Sequence, residues 1–313
     1  MADFGDELRG LAAMWGGRDI FLPDQTIPGR ARVHAVDFGG PTGKGASGPP
    51  VLLVHGLAGS HLHWVKVGPL LARRRRVVAL DLPGFGLSQD QGLDVWGLGG
   101  AVTEVADALL DEPALVAGSS MGALVAVLAA HQAPTTVQGL ILVGPSLPSG
   151  ASLPEPRVAM DFSAFAVPGL GEWLVGVRRA RPTRAQITDF NRLCLNDPGL
   201  ADPDVDAATA RLLTYRDHAR HDRAFLLAAR SMLALLRRRA ELDRITGQLS
   251  QPVLVVQGER DRLVKPAAAR RAVDRHSGWR LATIPGAGHL PQLELPEQFA
   301  AAVEGWISTT YGT

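Results

Sequence analysis

Cysteine is almost absent from this 313-residue chain: Cys194 stands alone. A disulfide framework is excluded, and so is any C-x-x-C metal or redox motif. A single thiol in an arginine-rich stretch reads as a core or groove filler. An excess of one charge is missing too. The 32 Lys and Arg against 31 Asp and Glu leave a formal net charge of +1, so no nucleic-acid partner is expected. The one dense basic run, Arg73-Arg74-Arg75-Arg76, reads as a solvated helix end. Residues 1–7 are acidic and contain no apolar secretory segment, so the expected location is the cytoplasm. Between residues 113 and 154 there is no Asp, Glu, Lys or Arg. That length invites a membrane span. Gly118-Ser119-Ser120-Met121-Gly122, Pro134-Thr135-Thr136 and Gly144-Pro145 break it up, however. It reads as strand, helix and strand inside a parallel-sheet protein, with no integral membrane segment.

What is present is a rhythm. Short apolar runs (Val51-Leu52-Leu53-Val54-His55, Val77-Val78-Ala79-Leu80, Leu115-Val116-Ala117, Leu140-Ile141-Leu142-Val143, Val253-Leu254-Val255-Val256, Leu281-Ala282-Thr283-Ile284) alternate with helical patterns near 98–111, 121–132, 265–276 and 296–309. This predicts an α/β fold: a mostly parallel central sheet flanked by helices, joined by right-handed crossovers. Residues 27–38 are expected to supply antiparallel strands at one edge. The rhythm stops over 147–244, where Phe225, Ala229, Met232 and Leu236 share one helical face and Arg223, Arg230 and Arg237 another. The chain therefore divides into a core domain, 1–146 with 245–313, and a helical cap insertion, 147–244.

Gly118-Ser119-Ser120-Met121-Gly122 is a G-x-S-x-G motif. It follows a strand and opens a helix of small and apolar residues, which is the setting of a nucleophile elbow. The serine sits on a strained turn that needs small neighbours, and the helix N-terminus offers N–H dipoles to developing negative charge. A serine nucleophile needs a base, and the base an orienting group. Asp261, in Gln257-Gly258-Glu259-Arg260-Asp261, follows one strand; Glu259 is the rival acid. His289, in Gly286-Ala287-Gly288-His289, follows the last strand. Ligands and catalytic groups of open parallel sheets gather at strand C-termini, so Ser120, Asp261 and His289 are the candidate catalytic residues.

With Val54-His55-Gly56-Leu57-Ala58-Gly59-Ser60 and Asp81-Leu82-Pro83-Gly84-Phe85-Gly86-Leu87-Ser88, these segments make the chain resemble the α/β-hydrolase superfamily, in its single-domain, cap-bearing, esterase-like branch. The resemblance implies an oxyanion hole from the backbone N–H groups of Leu57 and Met121, a structural role for His55, and Trp64 packed beneath the oxyanion loop. It implies hydrolysis of carboxylic esters of small to medium apolar substrates through an acyl-enzyme. A carbon–carbon bond hydrolase of the aromatic-degradation type and a non-catalytic hydrolase-fold binding protein stay open. So do hydroxynitrile lyase, perhydrolase and thioesterase chemistry. Dehalogenases and epoxide hydrolases of this fold use an Asp nucleophile, which Ser120 argues against.

No cofactor is implied. Gly43-Lys44 lacks the rest of a phosphate loop, Gly84-Phe85-Gly86 lacks the third glycine of a dinucleotide fingerprint, and His61-Leu62-His63 has no third metal ligand in sequence. In the cap, Phe162, Phe165 and Trp173 are expected to line an apolar substrate pocket over Ser120, with Phe190 nearby.

Overall fold

The computed structural model describes residues 8–22, 32–89, 92–147 and 156–312. Eight strands form one sheet: β1 (Arg18–Leu22), β2 (Val33–Gly39), β3 (Val51–Val54), β4 (Val77–Leu80), β5 (Ala114–Ser119), β6 (Val137–Val143), β7 (Val253–Gly258) and β8 (Trp279–Ile284). Their order is β1-β2-β4-β3-β5-β6-β7-β8. β2 is antiparallel to both its neighbours, and every pairing from β4 to β8 is parallel. Antiparallel strands do lie at one edge. β2 overlaps the expected segment and ends one residue beyond it, its partner β1 lies earlier in the chain, and 23–31 is outside the described residues.

The central strands are apolar throughout because both faces are covered. Leu52, Val54, Val78, Leu80 and Val116 point to the layer of α2 (Val95–Leu109) and α3 (Met121–Gln132), while Val51, Leu53, Val77, Ala79 and Leu115 point to α1 (Gly68–Leu71) and to Phe299, Val303 and Ile307 of the C-terminal helix. This odd–even split is the two-residue period of a strand. The uncharged stretch resolves into β5, α3 and β6. Among the described residues no helix is long and apolar enough to cross a membrane.

Between β6 and β7 lie α4 (Pro156–Ala166), α5 (Leu170–Arg179), α6 (Thr183–Cys194), α7 (Pro203–Tyr215), α8 (His218–Arg237) and α9 (Arg239–Gly247). Phe225, Met232 and Leu235 of α8, with Leu242 and Ile245 of α9, join the cluster that also holds α2 and α3. After β7 come α10 (Pro266–Asp274), α11 (Pro291–Glu294) and α12 (Pro296–Tyr311).

The basic run corrects one expectation. Arg73 and Arg74 are exposed, but Arg75 is only 1% exposed and reaches Glu304 of α12 at 2.5 Å, and Arg76 reaches Asp37 of β2 at 3.0 Å. The run leads straight into β4, so its second half lies between the sheet and its covering helix. Each cation there is matched by a carboxylate that is distant in sequence.

Candidate active site

β4 lies on one side of β3 and β5 on the other, so the chain reverses its direction of travel at β3. The carboxyl ends of β3 and β5 therefore open a crevice at the topological switch point. Ser120 stands at the end of β5 with φ 56° and ψ −115°, a left-handed conformation rare for a residue with a side chain. Its neighbours explain how the turn is held. A Cβ at Gly118 would sit 2.1 Å from the Gly122 carbonyl, and one at Gly122 would sit 2.5 Å from the carbonyls of Val54 and His55. The Ser120 N–H donates to Val143 O at 2.8 Å, fixing the turn to β6.

Asp261 and His289 are brought together from β7 and β8. The His289 Nδ1–H donates to Asp261 Oδ2 at 2.8 Å, which leaves Nε2 as the acceptor. Asp261 is 4% exposed and saturated: Gln257 Nε2 donates to Oδ2 at 2.9 Å, and the Leu263 and Val264 amides to Oδ1, each at 2.9 Å. Glu259 is exposed and instead accepts from the Gly286 amide. Gly144, just past β6, makes room for the pair. A Cβ there would lie 3.0 Å from His289 Nδ1 and 3.2 Å from Asp261 Oδ2. Ser120 and His289 line the same cavity. The Ser120 hydroxyl lies 3.5 Å from Ser146 Oγ, and no hydrogen bond joins it to His289 in this structure.

The amides of Leu57 and Met121 donate to no described residue. Gly56 brings their loops together, since a Cβ on it would lie 3.1 Å from Ser120 Cβ. His55 is fully buried: Nδ1–H donates to Gly56 O at 2.7 Å, and Nε2 accepts the Leu82 amide at 3.0 Å. Both ring nitrogens are thus committed to holding the loop. Trp64 is fully buried, edge-on to Phe299 of α12.

The cavity above Ser120 has a volume of about 690 Å³. Phe162 and Phe165 line it, as does Phe190, which stacks on His63. Trp173 does not: it is 62% exposed. On α5, Gly171 and Val175 turn inward, and Trp173 lies on the opposite face of the helix. Clustered aromatics in sequence do not reveal which face of a short helix is buried. Cys194 is buried in the cavity wall, and burial pushes its thiol far up, so it stays protonated and inert.

Residues 49–296 match the model of the alpha/beta hydrolase fold family. The chain belongs to the α/β-hydrolase family. It is 32% identical over 259 residues to a pimeloyl-[acyl-carrier protein] methyl ester esterase of Nitrosomonas europaea, covering 82% of this chain and 95% of that protein. It is also 32% identical to a dihydrolipoyllysine-residue acetyltransferase component of an acetoin cleaving system from Pseudomonas putida. There the match covers 81% of this chain and 62% of that longer protein. Among solved structures, wild-type Cfl2 from Burkholderia cenocepacia superposes with a TM-score of 0.76 at 27% identity, covering 93% of this chain and 96% of that one.

Two residues around this hydrolase-fold crevice have a place at the site that the sequence does not assign: His63, considered only as a metal ligand, and Glu294. His63 lines the cavity with a buried, unpartnered Nδ1. Burial first, then the neighbouring His55 and His289, lower its pKa to about 3, so the ring is neutral. Glu294, on α11, is 5% exposed. Its carboxylate accepts the amides of Asn196 at 2.5 Å and Asp197 at 3.4 Å, and also that of Gly288, the residue before His289. The His289 amide in turn donates to Cys194 O at 2.7 Å. One carboxylate thus ties the histidine loop to the end of α6. A signal was available: a lone acid in Leu290-Pro291-Gln292-Leu293-Glu294-Leu295-Pro296 is a charge set among apolar residues and prolines. Glu294→Gln keeps the size but turns an acceptor into a donor aimed at N–H groups. Leaving buried donors unsatisfied costs about 1–3 kcal/mol, so kcat on a soluble ester should fall at least tenfold with KM little changed. An unaltered kcat would mean that the histidine loop is held without it.

Proposed function

We propose that Ser120 is the nucleophile, His289 the general base and Asp261 its orienting acid in the hydrolysis of a small-molecule carboxylic ester. The observation that carries this reading is the gathering of the three at the carboxyl ends of β5, β7 and β8, with Ser120 held on a strained turn and His289 locked in one tautomer by Asp261. The chain is a carboxylic ester hydrolase of the serine type, as its family and its esterase relatives indicate.

In the proposed cycle the Ser120 hydroxyl turns from Ser146 toward His289 Nε2. It gives up its proton there as Oγ attacks the ester carbonyl carbon. The oxyanion accepts the amides of Leu57 and Met121, and losing one such donor typically costs about 3 kcal/mol. When the tetrahedral intermediate collapses, the alcohol leaves with the proton from His289. A water molecule, deprotonated by the same nitrogen, then attacks the acyl-serine and releases the acid and the free serine.

Residues 147–244 act in this reading as a cap that keeps water from the scissile bond. Phe162 and Phe165 set acyl-length preference. Phe162→Ala and Phe165→Ala should each shift preference along a graded ester series by more than they change the rate on an acetyl ester. A methylene in a fitted pocket is worth about 1–3 kcal/mol of discrimination. Trp173→Ala should leave the profile unaltered, because the ring lies in solvent. Labelling by a fluorophosphonate, blocked in Ser120→Ala and retained in Ser119→Ala, tests the nucleophile directly. An unlabelled wild-type protein would favour a non-catalytic binding role.

A further inference from the structure

The wall of the cavity is largely apolar, but its charges are nearly all of one sign. Arg178, Arg181, Arg239 and Lys265 line it. The only carboxylate among the described lining residues is Asp189, which is already bonded to Arg181. On α5 and just beyond it, Leu174, Val177, Arg178 and Arg181 all face the cavity, at the i, i+3, i+4, i+7 spacing of one helical face.

Arg178 stands apart from the arginines around it. Arg179 is bonded to Asp222 at 2.6 Å, Arg181 to Asp189, and Arg230 to Glu172 at 2.9 Å. Arg178 makes no hydrogen bond or ion pair with any described residue. Its side chain is accessible, yet it is enclosed enough that desolvation lowers its pKa. Arg216 stands close by and raises the local positive potential. Its Nε is buried without a partner, and burial and Arg178 together bring its pKa to about 10. Arg178 is thus a cavity-lining cation with no bonded partner, and an anion placed against it would gain a charge-assisted hydrogen bond.

We infer that Arg178 anchors an anionic group, a carboxylate or a phosphate, at the end of the substrate remote from the scissile ester. This rests on the ester-hydrolase reading and adds a substrate class to it: esters whose apolar chain ends in an anion. The chain lies along Phe162, Phe165 and Leu174, with the ester at Ser120. An anion at the far end of the chain avoids a second negative charge beside the oxyanion, which would oppose the charge developing there.

The test uses three matched methyl esters of one straight-chain acid, ending in a carboxylate, a phosphate or a neutral primary amide. Wild-type kcat/KM should favour an anionic ester over the amide by roughly 10- to 100-fold, the range of one charge-assisted contact. Rising salt should erode that advantage. Arg178→Met should remove it while leaving the amide ester's rate within about threefold, and Arg178→Lys should retain part of it. Whichever anion gains more identifies the headgroup. A second arm titrates the same three esters calorimetrically into Ser120→Ala, where binding is read without turnover. There the amide should bind at least tenfold more weakly than the preferred anion, and adding Arg178→Met should close the gap. Equal binding of all three esters, or a gap that survives Arg178→Met, would overturn the anion site. Absent turnover and absent fluorophosphonate labelling of the wild type would instead sink the hydrolase reading, with the binding arm still deciding the anion site.

Discussion

Ser120→Ala should lower ester turnover by a factor on the order of 10⁶, the loss seen when the nucleophile of a comparable serine–histidine–acid unit is removed. The unit is non-additive, so His289→Ala should cost nearly as much, and the double variant little more than either alone. The effect on folding should be small. The backbone hydrogen bonds of Ser120, its amide to Val143 O and its carbonyl from the amides of Ala123 and Ser146, are all kept by the alanine, and the strained φ of 56° remains with either side chain. Residual hydrolysis should come from the oxyanion amides and binding alone. Activity above about a tenth of wild type, with the protein free of contaminating esterase, would remove Ser120 from the mechanism. Ser119→Ala should be far milder. The Ser119 hydroxyl is buried and already engaged, accepting from Gln292 Nε2 at 3.3 Å.

The second large effect concerns stability and lies on the far side of the oxyanion loop. Asp81 follows β4 and is fully buried. It accepts from the His34 ring at 2.7 Å, from the His61 ring at 3.0 Å, and from the amides of His61 and Leu87 at 2.6 and 2.8 Å. His34 also reaches Asp19 at 3.1 Å, so β1, β2, the turn after β4 and the segment leading to Trp64 are tied to one carboxylate. Removing one partner of a buried ion pair typically costs 3–5 kcal/mol. Asp81→Ala should therefore lower the denaturant midpoint by about that much stability, a large share of what a domain possesses. The pH dependence has a definite sign. Burial opposes the charge on Asp81, but His61 and His34 outweigh it and hold its pKa well below the ordinary 3.8. Burial likewise opposes the charge on His34, but the bonds to Asp19 and Asp81 outweigh it and raise its pKa above 6.5. The carboxylate's contribution is present above pH 3.8 and is lost as pH falls through its depressed value. The imidazolium's contribution is present below pH 6.5 and is lost as pH rises through its raised value. The stability gap between wild type and Asp81→Ala should therefore be widest between roughly pH 4 and 6.5 and narrow on either side. A gap constant from pH 3 to 9 would contradict the ionised network.

By itself the sequence determined the features that depend on neighbours along the chain. Val51–Val54, Val77–Leu80 and the other strands are legible because a strand buried on both faces must be apolar at every position. Ser120 is legible because a nucleophile on a sharp strand–helix turn needs glycine two residues to either side. Asp261 and His289 follow because parallel strands deliver their C-terminal loops to one edge of the sheet. The tertiary structure decided whatever depends on partners distant in sequence. The aromatic cluster of the insertion could not show that Trp173 faces solvent while Phe162 and Phe165 face the cavity, since that turns on how a ten-residue helix is rotated against α8. The arginines looked alike until Arg75 met Glu304, Arg179 met Asp222 and Arg178 met none. Glu294 gained its role only when folding set Asn196 and Gly288 on the same carboxylate. A charged side chain carries no local record of its counter-ion. Its burial cost is settled by whichever group the fold places against it.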